Sequence, residues 1–406
     1  MVSSYRSVLS KPGAAGLFAT ALVARLPQGM APLAVLLLVR GATHSYAAAG
    51  LAVGAQALAT AAAAPLLGRL VDRFGRRRVL GPAVVCEATM YALLVVAAEA
   101  HAGAVVLIVL AALAGAFMPP VAPVVRAMLG EVFEDPAVRE VAYSLDAVSQ
   151  EVLWTSGPLF VAVMLAVTSP EVAVLVIAAI GLAGATLFLR SRLVRSAGAA
   201  VEHTTRGSAL ASPQLRALLG PVALTGMGLG AIEVGLPSLA IHAGSRPASG
   251  VLLALWSVGS MIGGLWYGSR VWRSSLTHRY RVLLGLAVLC TLPLIAARSI
   301  PAGLVCSLLA GVTIAPVFSC QYALVGRSVS AGTETEAFTW VSAALIGGLA
   351  VGEAIGGAVI APAGVGAPFM ISCVATLFAA LLALDFRVPV RRPARGATAA
   401  SDRRPA

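Results

Sequence analysis

Polar and apolar positions fall in long blocks along this chain, without the short periods of a soluble fold. Twelve mostly apolar runs cover 14–38, 46–67, 80–98, 103–126, 140–167, 171–190, 216–242, 248–268, 282–298, 301–325, 335–361 and 366–386, parted by short clusters of Pro, Gly and charge. Each is near the length of about 17–25 residues that a bilayer-crossing helix needs. The predicted fold class is all-α integral membrane, with 12 transmembrane helices as two six-helix halves. The N-terminal bundle is 1–190 and the C-terminal bundle 216–386, divided at 191–215 by the longest polar stretch, which reads as a flexible interdomain loop. The basic tail 387–406, rich in Arg, Ala and Pro, is expected to be disordered. The first run follows Lys11 directly and is too long for the apolar core of a signal peptide, so it is expected to stay as span 1.

Composition strengthens the membrane reading. Only 11% of the 406 residues are charged and 59% are hydrophobic, with a mean hydropathy of +0.91, against roughly 25% charged in soluble domains. The net charge of +12 is explained by placement. Of the 29 lysines and arginines, 25 fall on one side of the predicted topology, Arg40, Arg246 and Arg298 on the other, and Arg25 within a span. By the positive-inside rule this puts both termini in the cytoplasm of a multi-pass protein of the cell membrane, with the lipid bilayer as partner and no nucleic acid. The five cysteines all lie in apolar runs without CxxC spacing and read as small core hydrophobes.

The chain also repeats itself. AYSL at 142–145 resembles AFTW at 337–340, and Gly157 corresponds to Gly352, both at an offset of 195; GGLWYGSR at 263–270 looks like a worn copy of the stretch after span 2, with Gly264 standing 196 positions after Gly68. That stretch, Gly68 to Leu80, reads GRLVDRFGRRRVL and carries five arginines and one acid. Gly68, Asp72, Arg73, Gly75, Arg76 and Arg77 match, place for place, the loop 2–3 signature G-x-L-x-D-R-x-G-R-[RK]. On these residues the chain resembles the major facilitator superfamily, whose two parallel six-span repeats fit the layout. The resemblance implies a conformational latch in which Asp72 faces the N-terminal end of span 11, where Thr333-x-x-Glu336 reads as a capping box, and an arginine at the inner end of span 4, here Arg126. Arg76 is expected to meet Glu131 or Glu134. Gly157-Pro158 in span 5 resembles the core of the antiporter motif of exporters, with Trp154, Val161 and Ala162 replacing its other small residues. Span 4 lacks the mid-membrane arginine usual in proton-coupled members; Pro119-Pro120 breaks it instead, and Arg25 is the candidate to supply that charge.

Enzymatic readings fail. Lys11 is the only lysine and no GxxxxGK[ST] surrounds it, so no Walker-type ATP site forms; HExxH, GxSxG and His–carboxylate clusters are missing from the sequence. GMGLG at 226–230 lies within a span and reads as close helix packing. No cofactor and no metal are expected. What remains is charge inside spans, at about 2.5–3.5 kcal/mol or more per group. Glu151 and Arg25 lie at mid-depth, Asp146 nearer the cytoplasm, Glu87 similarly shallow, and Glu233 and Glu353 in the outer half. Low dielectric favours a neutral carboxyl, which suits reversible protonation, and makes Glu151 the first choice to carry a proton. Asp146, five residues earlier and about 140° around the helix, is on another face and a candidate to tie down the cytoplasmic gate. Arg25 either pairs with Glu151 or contacts an anionic substrate group. Glu233 precedes a Leu-Pro pair that matches Leu26-Pro27 of span 1, which places it on a cavity-lining helix. Glu353 faces either the cavity or the span 5–8 side.

The expected cavity lining, Phe117, Met118, Met227, Phe318, Gln321 and Tyr322, is mostly apolar and suits a bulky lipophilic solute. Together these features predict a monomeric secondary transporter that exports small amphipathic compounds in exchange for protons by alternating access. An importer or sugar/metabolite symporter of the same fold is the alternative, and a scaffold or receptor has little use for Arg25, Glu151 and Glu233.

Overall fold

The structure, a computed structural model, describes residues 2–197 and 207–384. The predicted tail 387–406, and 198–206 of the interdomain stretch, lie outside the described residues. Among the described residues there are helices and no strand. A short helix, Val2–Leu9, comes first. Spans 1 to 3 are Ala14–Thr43, Tyr46–Phe74 and Arg76–Glu99; span 4 is Ala104–Ala116 plus Val121–Val132; spans 5 and 6 are Pro136–Leu165 and Pro170–Arg190. Spans 7 to 9 are Pro213–His242, Ala248–Gly268 and Leu276–Ala296; span 10 is Ile300–Gly311 plus Ile314–Ser328; spans 11 and 12 are Glu334–Ala363 and Ala367–Leu382. Eleven spans are long and apolar enough to cross a membrane, and span 12 is a shorter apolar helix of 16 residues. Spans 4 and 10, equivalent in the repeat, are the two that break.

Helix ends depart from the edges of the apolar runs because caps and glycine, not hydrophobicity, set them. Ser169, Ser212 and Ser275 stand just before spans 6, 7 and 9, and each side chain accepts a backbone N–H of the first turn. Span 2 continues as helix through the arginine-rich stretch to Phe74, so loop 2–3 is reduced to Gly75. Its φ of 88° lies in the left-handed region that a side chain would disfavour. At both described ends of the interdomain stretch there is local helix: Arg192–Ala197 is helical and Ala209–Ala211 forms a 3-10 turn.

Within the C-terminal half, spans 7 and 11 pack backbone to backbone. A Cβ on Gly226 or Gly230 would stand 2.2 or 2.1 Å from the carbonyl oxygen of Leu345 or Leu349, and Gly348 and Gly352 face Ala223 and Met227 at 1.9 and 2.0 Å. The GMGLG stretch is therefore a helix-packing surface. Between halves the apolar core is continuous only toward the arginine-rich end. There Val141 and Tyr143 of span 5 share one buried cluster with Tyr322 and Phe338 of the other half. Toward the opposite end of the N-terminal half, Leu38, Val95, Leu107 and Ile177 form a separate cluster. Leucines and valines such as Leu58, Val105 and Val167 point outward and are exposed, as on a lipid-facing surface. Gly230→Val is expected to destabilise the fold by about 1–3 kcal/mol or more, because the opposing atom is backbone and cannot turn away. A lowered thermal midpoint of the purified protein checks this.

Candidate functional site

Three layers of side chains lie in sequence from the arginine-rich end inward. The outermost joins the halves. Asp72 at the end of span 2 accepts the backbone N–H of Thr335 (3.2 Å) and Glu336 (2.8 Å), the second and third residues of span 11. The expected capping box does not form: Thr333 makes no side-chain cap, and Glu336 turns away to accept Arg69 (2.9 Å), Ser208 Oγ (2.8 Å) and Ala209 N–H (3.2 Å). A carboxylate from the other half supplies the cap in its place, with its charge at the positive end of the helix. Gly68 allows the approach, since a Cβ there would lie 2.6 Å from Thr339 Oγ1. Arg76 pairs with Glu131, and Arg73 stacks on Phe74; Arg77 is exposed beside them. At the second seam between the halves, Glu140 of span 5 accepts Arg279 (2.8 Å) and Arg327 (3.3 Å). Ser144 Oγ donates to the Gly264 carbonyl (2.6 Å) and Tyr5 Oη to that of Leu265 (2.9 Å).

Beneath this layer Tyr143, Tyr322 and Phe338 meet at ring separations of 6.2–6.3 Å across the interface. Next comes a buried charge triad. Asp146, fully buried, accepts Arg25 Nη1 (2.7 Å) and Arg126 Nε (2.8 Å). Two expectations are corrected. Arg25 pairs with Asp146 and not with Glu151, because Asp146 is on the face of span 5 that looks into the N-terminal half. Arg126 bonds Asp146 and lies 3.9 Å over the Tyr322 ring, so it is not a partner of Asp72. The Nε of Arg25 and Oε1 of Glu87 are buried without a protein partner, and both residues line one small cavity of about 20 Å³, room for about one water molecule.

Glu151 faces the other way, buried at 8% exposure and close to Ser260 of span 8. Glu233 and Glu353 are within hydrogen-bonding reach of each other, and Glu233 also senses the charge of Glu151. Glu353 thus looks toward span 7. Among the described residues none of these three acids forms an ion pair with Arg, Lys or His. No group of His, Cys, Asp and Glu able to hold a metal ion exists among the described residues. Gln321, expected to line a cavity, instead donates to Tyr280 Oη inside the C-terminal half (3.0 Å). Gly157 packs on span 1, its missing Cβ leaving 2.5 Å to the Gly29 carbonyl carbon, and Pro158 follows within an unbroken helix.

Arg69, Glu140, Arg279 and Tyr5 were given no partner from sequence, and Glu336 was read only as part of a capping box. One signal was available for two of them: Glu140 and Glu336 stand 196 apart, the repeat offset of Gly68 and Gly264, and each receives a guanidinium from the other half.

Two six-span halves closed at one end around such a site define a membrane transporter, and comparison identifies its kind. The sequence model of the Major Facilitator Superfamily matches residues 17–331. The chain belongs to that superfamily of transporters. No curated protein matches it by sequence. Among solved structures it is similar to the human organic anion transporter MFSD10 (TETRAN), at 19% identity and TM-score 0.70 over 91% of this chain and 98% of that one. It is also similar to a bacterial homologue of the iron transporter ferroportin in an outward-facing state, at 15% identity and TM-score 0.69 over 92% and 98%. The transporter FucP in its outward conformation matches at 15% identity and TM-score 0.67 over 91% and 98%. At these identities the likeness is one of fold.

Two outcomes are expected. Asp72→Ala removes a cap worth about 0.5–2 kcal/mol and shifts the population toward separation at this end by roughly two- to thirtyfold. Spin labels at positions 78 and 330, with the five native cysteines replaced, should report a longer mean distance. Asp146→Asn leaves two buried guanidiniums without their counter-charge and is expected to lower stability by about 3–5 kcal/mol, read as a drop in thermal midpoint larger than that of Asp72→Ala.

Proposed function

We propose that this chain exchanges protons for small amphipathic compounds and exports them by alternating access, with the arginine-rich end in the cytoplasm. The observation that carries the reading is the set of three acids, Glu151, Glu233 and Glu353, contributed by spans 5, 7 and 11 and left without a cation. Both buried arginines nearby are held by Asp146, so these acids are not fixed in structural ion pairs. An acid enclosed by helices and free of a cationic partner is suited to take up and release a proton.

Glu151 belongs to one half and Glu233 and Glu353 to the other. Their ionised forms repel across the central interface, which favours halves held apart at that level. Protons arriving from the open side neutralise them, and the halves then close around the neutral acids as the opposite end opens. On the predicted topology 25 of the 29 lysines and arginines fall on the side of the sealed end, which supports a cytoplasmic placement for it and, on this reading, an outward-facing arrangement. Gly157-Pro158 of the exporter-like element supports the direction, and the mostly apolar set Phe117, Met118, Met227, Phe318 and Tyr322 supports an amphipathic cargo. Each transport cycle on this reading moves the proton through acids that both halves contribute.

The test is movement of fluorescent lipophilic dyes in proteoliposomes, with and without an imposed pH gradient. Wild type should show gradient-driven movement, and Glu151→Gln should slow it by at least about tenfold, a loss of roughly 1.4 kcal/mol in the driven step, because the amide carries no proton. Dye movement indifferent to both gradient and mutation would sink proton coupling through Glu151.

A further inference from the structure

The seam between spans 5 and 8 encloses, at the arginine-rich end, a cavity of about 420 Å³. Its walls come from both halves: Glu140 and neighbours at the start of span 5 on one side, and Tyr267, Arg270, Trp272, Arg279 and Arg327 on the other. The lining thus holds three guanidiniums and one carboxylate. Arg279 and Arg327 both bond Glu140. Arg270 forms no ion pair among the described residues and only stacks on Trp266, at 5.5 Å. The lining carries two positive charges in excess.

Arg279 makes this surplus informative. Its side chain is only 7% exposed, it spends Nη1 and Nη2 on Glu140 and Tyr267, and its Nε is buried with no partner. A buried guanidinium beside two further cations calls for an anion with several acceptor oxygens, and arginine forks match phosphate geometry. Trp266, 40% exposed, sits next to Trp272 and Tyr267, an aromatic group of the kind found at the level of lipid head groups.

The other seam shows what fills such a place. Between spans 2 and 11 the chain inserts its own Ser208–Ala211, and Ser208 Oγ and Ala209 N–H satisfy Glu336. At the span 5–8 seam the short helix Val2–Leu9 reaches the cavity wall with Ser7 and bonds the Leu265 carbonyl through Tyr5, but it carries no acid to meet the arginines. We propose that the cavity is a phosphate-binding site, taking the phosphate of an anionic phospholipid or a soluble phosphate, and that occupancy holds this seam shut because its walls belong to both halves. The site goes beyond the transport reading and does not depend on the cargo, the coupling ion or the direction.

The test is thermal unfolding of the full chain in phosphatidylcholine nanodiscs. One arm replaces part of the lipid with phosphatidylglycerol; the other adds inorganic phosphate against chloride at equal ionic strength. Variants are Arg270→Gln and Arg327→Gln, both at exposed cavity positions, and Arg78→Gln, exposed at the same end but outside the cavity. Wild type should gain several degrees in one arm, which names the source of the phosphate. Arg270→Gln or Arg327→Gln should weaken half-saturation about tenfold, as loss of one charge-assisted contact implies, while Arg78→Gln keeps the full gain. No gain in either arm, a gain that both cavity variants retain, or an equal loss in Arg78→Gln would overturn the proposal.

Discussion

The closed end of this transporter depends on one carboxylate placed where a helix begins. Asp72 does for span 11 what a cap residue ordinarily does for its own helix: it accepts the N–H groups left without intrahelical partners and sets negative charge at the positive end of the dipole. Because the acid belongs to the other half, the cap exists only while the halves are together. Gly68 brings the helices close enough, Gly75 ends span 2 one residue after Phe74, and Glu336, relieved of capping, gathers Arg69 and the interdomain segment. The spacing of glycine and aspartate in this stretch thus has a geometric cause beyond the sign of its arginines.

Asp146 organises the layer below in a different way. By sharing its two oxygens between Arg25 of span 1 and Arg126 of span 4 it fixes three helices of one half together, and it leaves the triad with one positive charge. The Tyr322 ring of the other half covers Arg126, and a cation held against a ring face away from water is worth about 2 kcal/mol or more. Separation of the halves at this end removes that cover and hydrates the guanidinium. The buried charge is therefore sensitive to the position of span 10, although its ion pairs lie wholly within the other half.

What was legible in the sequence is what depends on one dimension. Apolar run length gave the spans and the repeat offset gave the two halves. The contacts of Gly68 and Asp72 with span 11 were legible because their spacing follows the helix that carries them. Partners were not. Depth along a span put Arg25 level with Glu151, but depth carries no azimuth; the 140° between Asp146 and Glu151 was computable, whereas which of them faces Arg25 depends on how spans 1, 4 and 5 pack. Thr333 and Glu336 satisfied a local capping pattern, and a tertiary acid displaced it because it also brings the two halves together. Glu140 and Arg279 were hidden for the same reason, since their contact spans 139 residues.

The repeat is symmetric in helices and asymmetric in chemistry, and the asymmetry bears on how the halves part. Gly264 answers to Gly68 and Ser144 to Thr339, yet the position answering to Asp72 is Gly268, a place where any Cβ would meet Tyr5 Oη at 2.5 Å. Tyr5, from outside the repeat, fills the gap with a neutral hydrogen bond to a carbonyl. Charge-assisted hydrogen bonds are roughly twice as strong as neutral ones, so with no acid in the place of Asp72 the span 5–8 seam leans on Glu140 and its arginines. Both seams join small residues and polar groups that water can satisfy once they separate. Spans 7 and 11, by contrast, are locked backbone to backbone through Gly226, Gly230, Gly348 and Gly352, contacts with no solvated substitute. The contacts that water can replace thus lie between the halves, and those it cannot replace lie within them.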